Sequence, residues 1–320
     1  MQAVGRRYRT QLTLATAAVL CGPLACHSAR PLANTGAAGQ AVEATSLLGQ
    51  PLQRPSVPDP ARQTYEQKLD EARRAYDRAP RNADSIIWLG RRTAYLGRYR
   101  DAISIFSEGV ALHPGDARMY RHRGHRYISV RELDRAIADL TRAAELTAGQ
   151  VDEIEPDGIP NSLNTPTSTL QSNIWYHLGL AHYLQGDFLR ARAAYREAMT
   201  VSMNPDMLVA TSHWLYMTLR RMGRAAEAQA MLAPISREMA IIENDAYHRL
   251  LLLYKGELSP DSLAPAGTDA LNDASVGYGV GNWHLYNGRR DEASRVFRQV
   301  LAGGNWPAFG YIAAEAELAR

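Results

Sequence analysis

The sequence predicts an all-α fold, a solenoid of antiparallel helix pairs, and two observations carry that reading. The first is the stretch 172–205, SNIWYHLGLAHYLQGDFLRARAAYREAMTVSMNP. Trp175, Leu178, Gly179 and His182 fall at i, i+3, i+4 and i+7, one face of a helix. After a turn at Gly186 and Asp187, the residues Phe188, Ala191, Tyr195 and Ala198 form the stripe of a second helix. Small residues at Gly179, Ala191 and Ala198 let the two helices approach, and Trp175 and Tyr195 fill the space between. The second observation is register: Gly90 and Gly124 are 34 residues apart, and so are Ala102 and Ala136.

Taken in order, the chain opens on a basic segment with Arg6, Arg7 and Arg9, then an apolar run over 12–20 that is too short to span a bilayer permanently. Leu24, Ala25 and Cys26 resemble the end of a bacterial lipobox, in which the cysteine becomes the lipid-modified first residue, although Pro23 stands where that pattern prefers Leu. Cleavage by ordinary signal peptidase near Ala25 is the alternative. Arg6 and Arg7 also resemble a twin-arginine signal, with Arg9 and Thr10 replacing its apolar pair. Residues 1–26 are therefore read as an export signal with Cys26 as the lipidation candidate, and the product as periplasmic or membrane-anchored. Residues 27–60 show no period and are rich in Ala, Gly, Pro and Ser, which reads as a flexible tether.

From Ala61 the pattern turns helical, with Tyr65, Leu69, Ala72 and Tyr76 on one stripe ending at Pro80, an N-terminal cap. Register then places repeats at 83–116 and 117–150. The first departs at Gly109, where alanine is expected and a mid-helix glycine costs about 1 kcal/mol; in the second, Arg123 replaces a leucine. From Gly124 to Gly179 is 55 residues, so an insertion occupies 151–171, carrying Asp152, Glu153, Glu155 and Asp157, three prolines and no basic residue. Further repeats follow at 172–205, at 209–242, in degenerate form at 243–273, and at 274–307, with a capping helix at 308–320.

The order of large and small residues in 172–205 resembles the tetratricopeptide repeat, W-x2-L-G-x2-Y, then A-x3-F, then P over 34 residues, with His182 at the Tyr position and the proline two places late. That resemblance implies a right-handed superhelix whose first helices line a concave groove. Carried over by register, it implies a partner-binding wall of Arg91, Arg118, Arg121, His125, Asn173, Tyr176, Tyr183, His213, Arg220, Tyr278 and Asn282. Asn and Arg suit an extended backbone or a terminal carboxylate, and Tyr supplies contact area at low entropic cost. An exposed helix face in an arginine-rich protein has the same composition. The insertion leaves the second repeat beside Arg118 and Arg121, and opposite charges within a Debye length of about 8–10 Å bias it towards the groove as a loose cover. A solvated loop on the convex side is the alternative.

Composition narrows the function. Apolar residues at 46% and charged residues at 22% are ordinary for a globular chain, and a net charge of +3 gives no argument for nucleic acid. Lys68 and Lys255 are the only lysines, so the basic residues are nearly all arginine; anion recognition and a GC-rich genome both produce this. Cys21 and Cys26 lie in the leader, leaving no disulfide framework and no thiolate metal site downstream. His122 and His125 are spaced for a metal on one helix face, but Arg121, Arg123 and Arg126 surround them and would repel a cation. Gly277, Gly279 and Gly281 fall at helix positions of the last repeat with no strand before them, which reads as loose helix packing rather than a phosphate loop. No nucleophile elbow or H-E-x-x-H motif occurs. The expectation is a non-catalytic, cofactor-free and metal-free scaffold that binds a protein or peptide, not nucleic acid, with the membrane contacted only through a lipid on Cys26. A self-assembling structural protein and an accessory module for a cell-wall enzyme are the alternatives.

Overall fold

The computed structural model describes residues 41–263 and 273–320. The export-signal reading, Cys21, Cys26 and the first part of the tether, 27–40, lie outside the described residues. The described chain is all-α apart from one small hairpin, and its helices run as antiparallel pairs. After α1 (Ala61–Arg78) the pairs are α2 (Ala83–Tyr95) with α3 (Tyr99–Leu112), α4 (Ala117–Ser129) with α5 (Leu133–Thr147), and α6 (Leu170–Gln185) with α7 (Phe188–Thr200). Then come α8 (Pro205–Arg221) with the short α9 (Ala225–Ala230), the single α10 (Asp245–Lys255), α11 (Ala274–Tyr286) with α12 (Arg290–Ala302), and α13 (Phe309–Ala319). The first helix of each pair opens on a side-chain cap, supplied by Asn82, Asp116, Thr169, Asn204 and Asp273, which satisfies N–H groups the helix itself leaves free.

One packing rule recurs. A Cβ added at Gly90 would lie 2.5 Å from the Phe106 ring, at Gly124 2.8 Å from Leu140, at Gly179 2.7 Å from Tyr195, and at Gly281 2.5 Å from Phe297. In each pair the large partner follows the glycine by sixteen residues, so one small and one large position set the helix–helix distance. Gly281 of α11, and Gly279, whose Cβ would lie 2.5 Å from Leu250, therefore mark tight packing, not loose. Gly109 has a similar reason: its Cβ would meet Met119 Sδ at 2.6 Å, so the missing methyl makes room for the next repeat. The fourth pair breaks the rule. Tyr216 stands where the glycine belongs, and α9 has only six residues. The pair also starts earlier than the sequence register placed it, because Pro205, read as the end of the preceding repeat, is the first residue of α8 behind the Asn204 cap.

Part of the tether reading is overturned. Val42–Thr45 (β1) and Pro51–Gln53 (β2) pair as an antiparallel hairpin, with Ala44 and Leu52 buried. Strands of four and three residues leave no readable period, and tertiary contacts hold them. Glu43, 2% exposed, pairs with Arg54 and accepts the Arg100 backbone N–H, while the Gln53 carbonyl accepts from the Trp306 indole.

The C-terminal helix completes the structure. Phe309 of α13 packs its ring 5.4 Å from His125, 5.5 Å from His177 and 6.4 Å from Tyr176. Gly310 lies so close to α11 that a Cβ would fall 1.9 Å from the Ala274 carbonyl oxygen. Glu315 forms a two-point ion pair with Arg131 at the end of α4, Nε to Oε2 and Nη2 to Oε1 both at 3.0 Å. Glu317 pairs with Arg221, and Arg320 donates to the Tyr183 and Leu184 carbonyls at the end of α6. α13 thus lies against the wall-side residues of earlier repeats.

Candidate binding site beneath the insertion

The structure divides the eleven wall residues into two groups. Tyr176, Tyr183, His213, Tyr278 and Asn282 are buried, along with Arg121 and Asn173. The Tyr183 and Tyr278 hydroxyls meet at 2.6 Å, Asn282 donates to Tyr183 at 2.9 Å, and Trp214 stacks on Tyr278 at 5.7 Å. His213 is stacked 4.6 Å from Tyr247 and 5.8 Å from Tyr254. The C-terminal half of the wall is therefore an aromatic core rather than an open groove, which corrects the sequence reading at these positions. The register identified which residues turn inward. It carried no information on how sharply the repeats curve, and here they curve until α6, α8 and α11 touch. Arg220 is at the edge of this core, held by the Tyr216 hydroxyl, Asn287 and the Tyr286 ring.

The N-terminal half stays polar, and the insertion lies over it. Glu155 reaches Arg121, with Oε2 2.9 Å from Nε and both side chains about nine-tenths buried (8% and 10% exposed). Arg91 donates to the Pro156 carbonyl at 2.8 Å, and Arg92 donates to that of Gly158. Both guanidiniums also stack on Trp88, at 4.5 and 4.8 Å. Gly158 is needed for this approach, since a Cβ there would overlap the Tyr95 hydroxyl at 1.6 Å. Asn173 holds the other side, donating to Glu155 and Ser168. The far end is tied by Asn161 and Thr167 to Glu243, and by Asn204 to the Thr167 carbonyl. The backbone N–H groups of Ile242, Glu243 and Asn244 are in turn collected by the buried Asp206 carboxylate. The insertion is thus placed on the wall, as its charge suggested, but as a hydrogen-bonded cover and not a loose one. Arg118 does not engage it and pairs with Asp116 and Asp84 instead.

Under the cover lies a cluster the sequence reading named only in part: Arg121, His122, His125 and Arg126 from α4, joined by His177 from α6 with its ring 4.3 Å from that of His125. Arg121 Nη1 faces the Nδ1 atoms of His122 and His125 at 3.2 and 3.5 Å. A guanidinium only donates, so these imidazoles receive the contact as neutral rings. Burial, followed by the neighbouring arginines, holds His122, His125 and His177 well below the usual imidazole range. Burial alone lowers His213 to about 3. Among the described residues no group of three His, Cys, Asp or Glu is arranged to hold a metal ion. The available signal was the run Arg121, His122, Arg123, Gly124, His125, Arg126, whose spacing puts 121, 122, 125 and 126 on one helix face. Glu155 carried no signal beyond its sign.

With the architecture and the wall described, comparison places them. Fold and repeat define the class, a helical-repeat protein. Within it, residues 172–204 match the Tetratricopeptide repeat family model. Comparison with curated proteins gives no match. Among solved structures, the chain is similar to YrrB, described as a TPR protein with an unusual peptide-binding site, at 13% identity over 73% of this chain and 93% of that one, TM-score 0.42. A thermophilic TPR protein of Thermus thermophilus is 21% identical over 62% of this chain and 92% of that one, TM-score 0.43. MamA is 17% identical over 62% and 92%, TM-score 0.41.

The buried neutral histidines set a pH dependence. Their folded-state values lie below the unfolded value of about 6.5, so the unfolded chain binds more protons between the two, and stability is intact above about 6.5 and falls as pH drops below it. Each such histidine contributes a slope of up to ~1.4 kcal/mol per pH unit. Urea unfolding between pH 7 and 5.5 is expected to show falling stability, and His213→Phe, which keeps the stacking shape, is expected to flatten the slope by up to one proton.

Proposed function

We propose that this chain is a non-catalytic protein-interaction scaffold of the bacterial cell envelope, and that the insertion with the adjoining N-terminal wall is its docking face. The observation that carries this reading is the insertion's surface. Val151, Ile154, Ile159 and Leu163 are 90%, 69%, 52% and 65% exposed, on a segment whose backbone is fixed to repeats on both sides. Ordered, exposed apolar side chains bounded by Asp152, Glu153 and Asp157 have the make-up of a small interface: an apolar centre and a polar rim. The filled C-terminal wall leaves this face as the better place for a partner than the groove itself. The match of residues 172–204 to the tetratricopeptide repeat supports binding of a protein or peptide.

The test is capture from envelope extract by the mature full chain, compared with a Val151→Ser, Ile159→Ser, Leu163→Ser variant. These three side chains are exposed, so the fold is expected to be unaffected. A partner retained by the parent chain and lost by the variant is the expected result, and a partner retained equally by both contradicts this docking face.

The envelope location rests on the N-terminal sequence. If Cys26 carries a lipid, Cys26→Ser is expected to move the protein from the membrane pellet to the soluble fraction, whereas an unchanged distribution removes the anchor from the account.

A further inference from the structure

Beneath the insertion, and apart from its exposed apolar side chains, the wall holds more positive charge than the carboxylate lining it neutralises. A cavity of about 110 Å³ is lined by Arg91, Arg121, Arg126, the two neutral imidazoles of His122 and His125, and Glu155, with Tyr95 closing one side. Three guanidiniums and one carboxylate line it, a formal excess of two positive charges in the lining; the Asp157 carboxylate, which also acts on Arg91, lies outside it. The partners of the three make the imbalance specific. Arg91 is bonded to a neutral carbonyl. Arg126 has no ion pair or side-chain hydrogen bond among the described residues, only the Tyr99 ring at 5.4 Å, and burial lowers it to about 10. Arg121 is 7% exposed and takes the one carboxylate of the lining, Glu155, whose Oε2 lies 2.9 Å from its Nε. A charge taken from water without a counter-ion costs several kcal/mol.

We propose that this cavity is a binding site for a phosphate- or sulfate-type dianion, free or as the head of a small organic ester, held by Arg91, Arg121 and Arg126. A dianion cancels the excess of two charges and supplies acceptors to planar guanidinium forks, which match the geometry of phosphate oxygens. The volume holds a few water molecules or one tetrahedral anion and is too small for a stretch of peptide. A second cavity of about 270 Å³ shares Arg91, His122 and Glu155 with the first and adds Trp88, Ile87 and Leu170 together with the charged Asp84, Arg118 and Glu153. An ester with its phosphate in the arginine cavity has space there for an apolar or planar body against Trp88. Glu155 is the residue such a ligand has to share the site with, since it already occupies one side of Arg121.

The test is isothermal titration of the mature full chain at neutral pH and constant ionic strength with inorganic phosphate and, separately, with phenyl phosphate. Saturable binding is expected, at least tenfold weaker in Arg126→Gln and in Arg91→Gln, and undiminished in Glu155→Gln, which removes the competing carboxylate. Arg142→Gln, a surface change of equal charge at a residue that pairs with Glu145 on α5, is expected to bind as the parent does. Tighter binding of phenyl phosphate points to an ester, equal binding to the free ion. Arg91 is only half-buried, so its variant keeps the test valid if Arg126→Gln fails to fold. The Val151, Ile159 and Leu163 variant is expected to bind phosphate normally, so loss of a protein partner and loss of the anion are read separately. No saturable binding, or equal weakening by Arg142→Gln and Arg126→Gln, means an adventitious ion only and overturns the proposal.

Discussion

The ion pair between Arg131 and Glu315 is the constraint on which the rest of the structure depends. Arg131 sits 34 residues after Gly97, at the position where the neighbouring pairs place Gly97, Gly186, Gly223 and Gly288, and like them it has a positive φ, +66°. A side chain in the left-handed region carries a backbone cost of roughly 1 kcal/mol or more that glycine avoids. Here the side chain has a use that glycine cannot supply. Its guanidinium donates to the Ser129 carbonyl at 2.6 Å, to the Trp306 carbonyl at 2.9 Å and to both oxygens of Glu315, while the Trp306 ring lies 5.1 Å away. Glu315 also accepts the Leu47 backbone N–H, so the hairpin, the second repeat and the C-terminal helix meet at one buried, hydrogen-bonded pair whose side chains are 3% and 1% exposed.

The consequences reach the functional surface. With α13 drawn against α4, α6 and α11, the inward face of the later repeats becomes a core of Tyr183, Trp214 and Tyr278, and a partner has no groove to enter there. What remains polar is the first part of the wall, covered by an insertion too well bonded to be a loose flap. The wall under it combines arginines in excess with histidines held neutral, and its outer side presents four exposed aliphatic residues. The proposed binding is divided between two surfaces: apolar contact outside the cover and oxyanion contact beneath it.

Much of this fold was legible in the sequence because it is built from short-range rules. The 34-residue spacing, the stripes at 172–198 and the Asn, Asp or Thr before each first helix are local, and local physics decides them. The breaks in the pattern were also present but harder to interpret: Tyr216 in a glycine position falls in the pair whose second helix, α9, is short, and Arg131 in another reports a contact 184 residues away. What was not legible is what depends on curvature. No local pattern says whether Tyr183 and Tyr278 face solvent or each other, and reading them as groove residues followed from assuming an open superhelix. The hairpin was missed because two strands this short have no period, and Glu155 because a carboxylate in an acidic loop is not marked until the loop has a position. The charge argument did direct the insertion to the correct wall, yet it selected Arg118 as well as Arg121, and Arg118 was already satisfied by Asp84 and Asp116.

The closure of the repeats by Arg131 and Glu315 is measured most directly by a double-mutant cycle in urea unfolding, using Arg131→Gly, Glu315→Ala and the pair together. Glycine at 131 relieves the backbone cost, so a local role for the side chain predicts that Arg131→Gly is neutral or stabilising. The account predicts instead that each single change costs about 3–5 kcal/mol, as expected when one partner of a buried pair is removed, and that the double variant costs far less than their sum. A neutral Arg131→Gly, or costs that simply add, would contradict it.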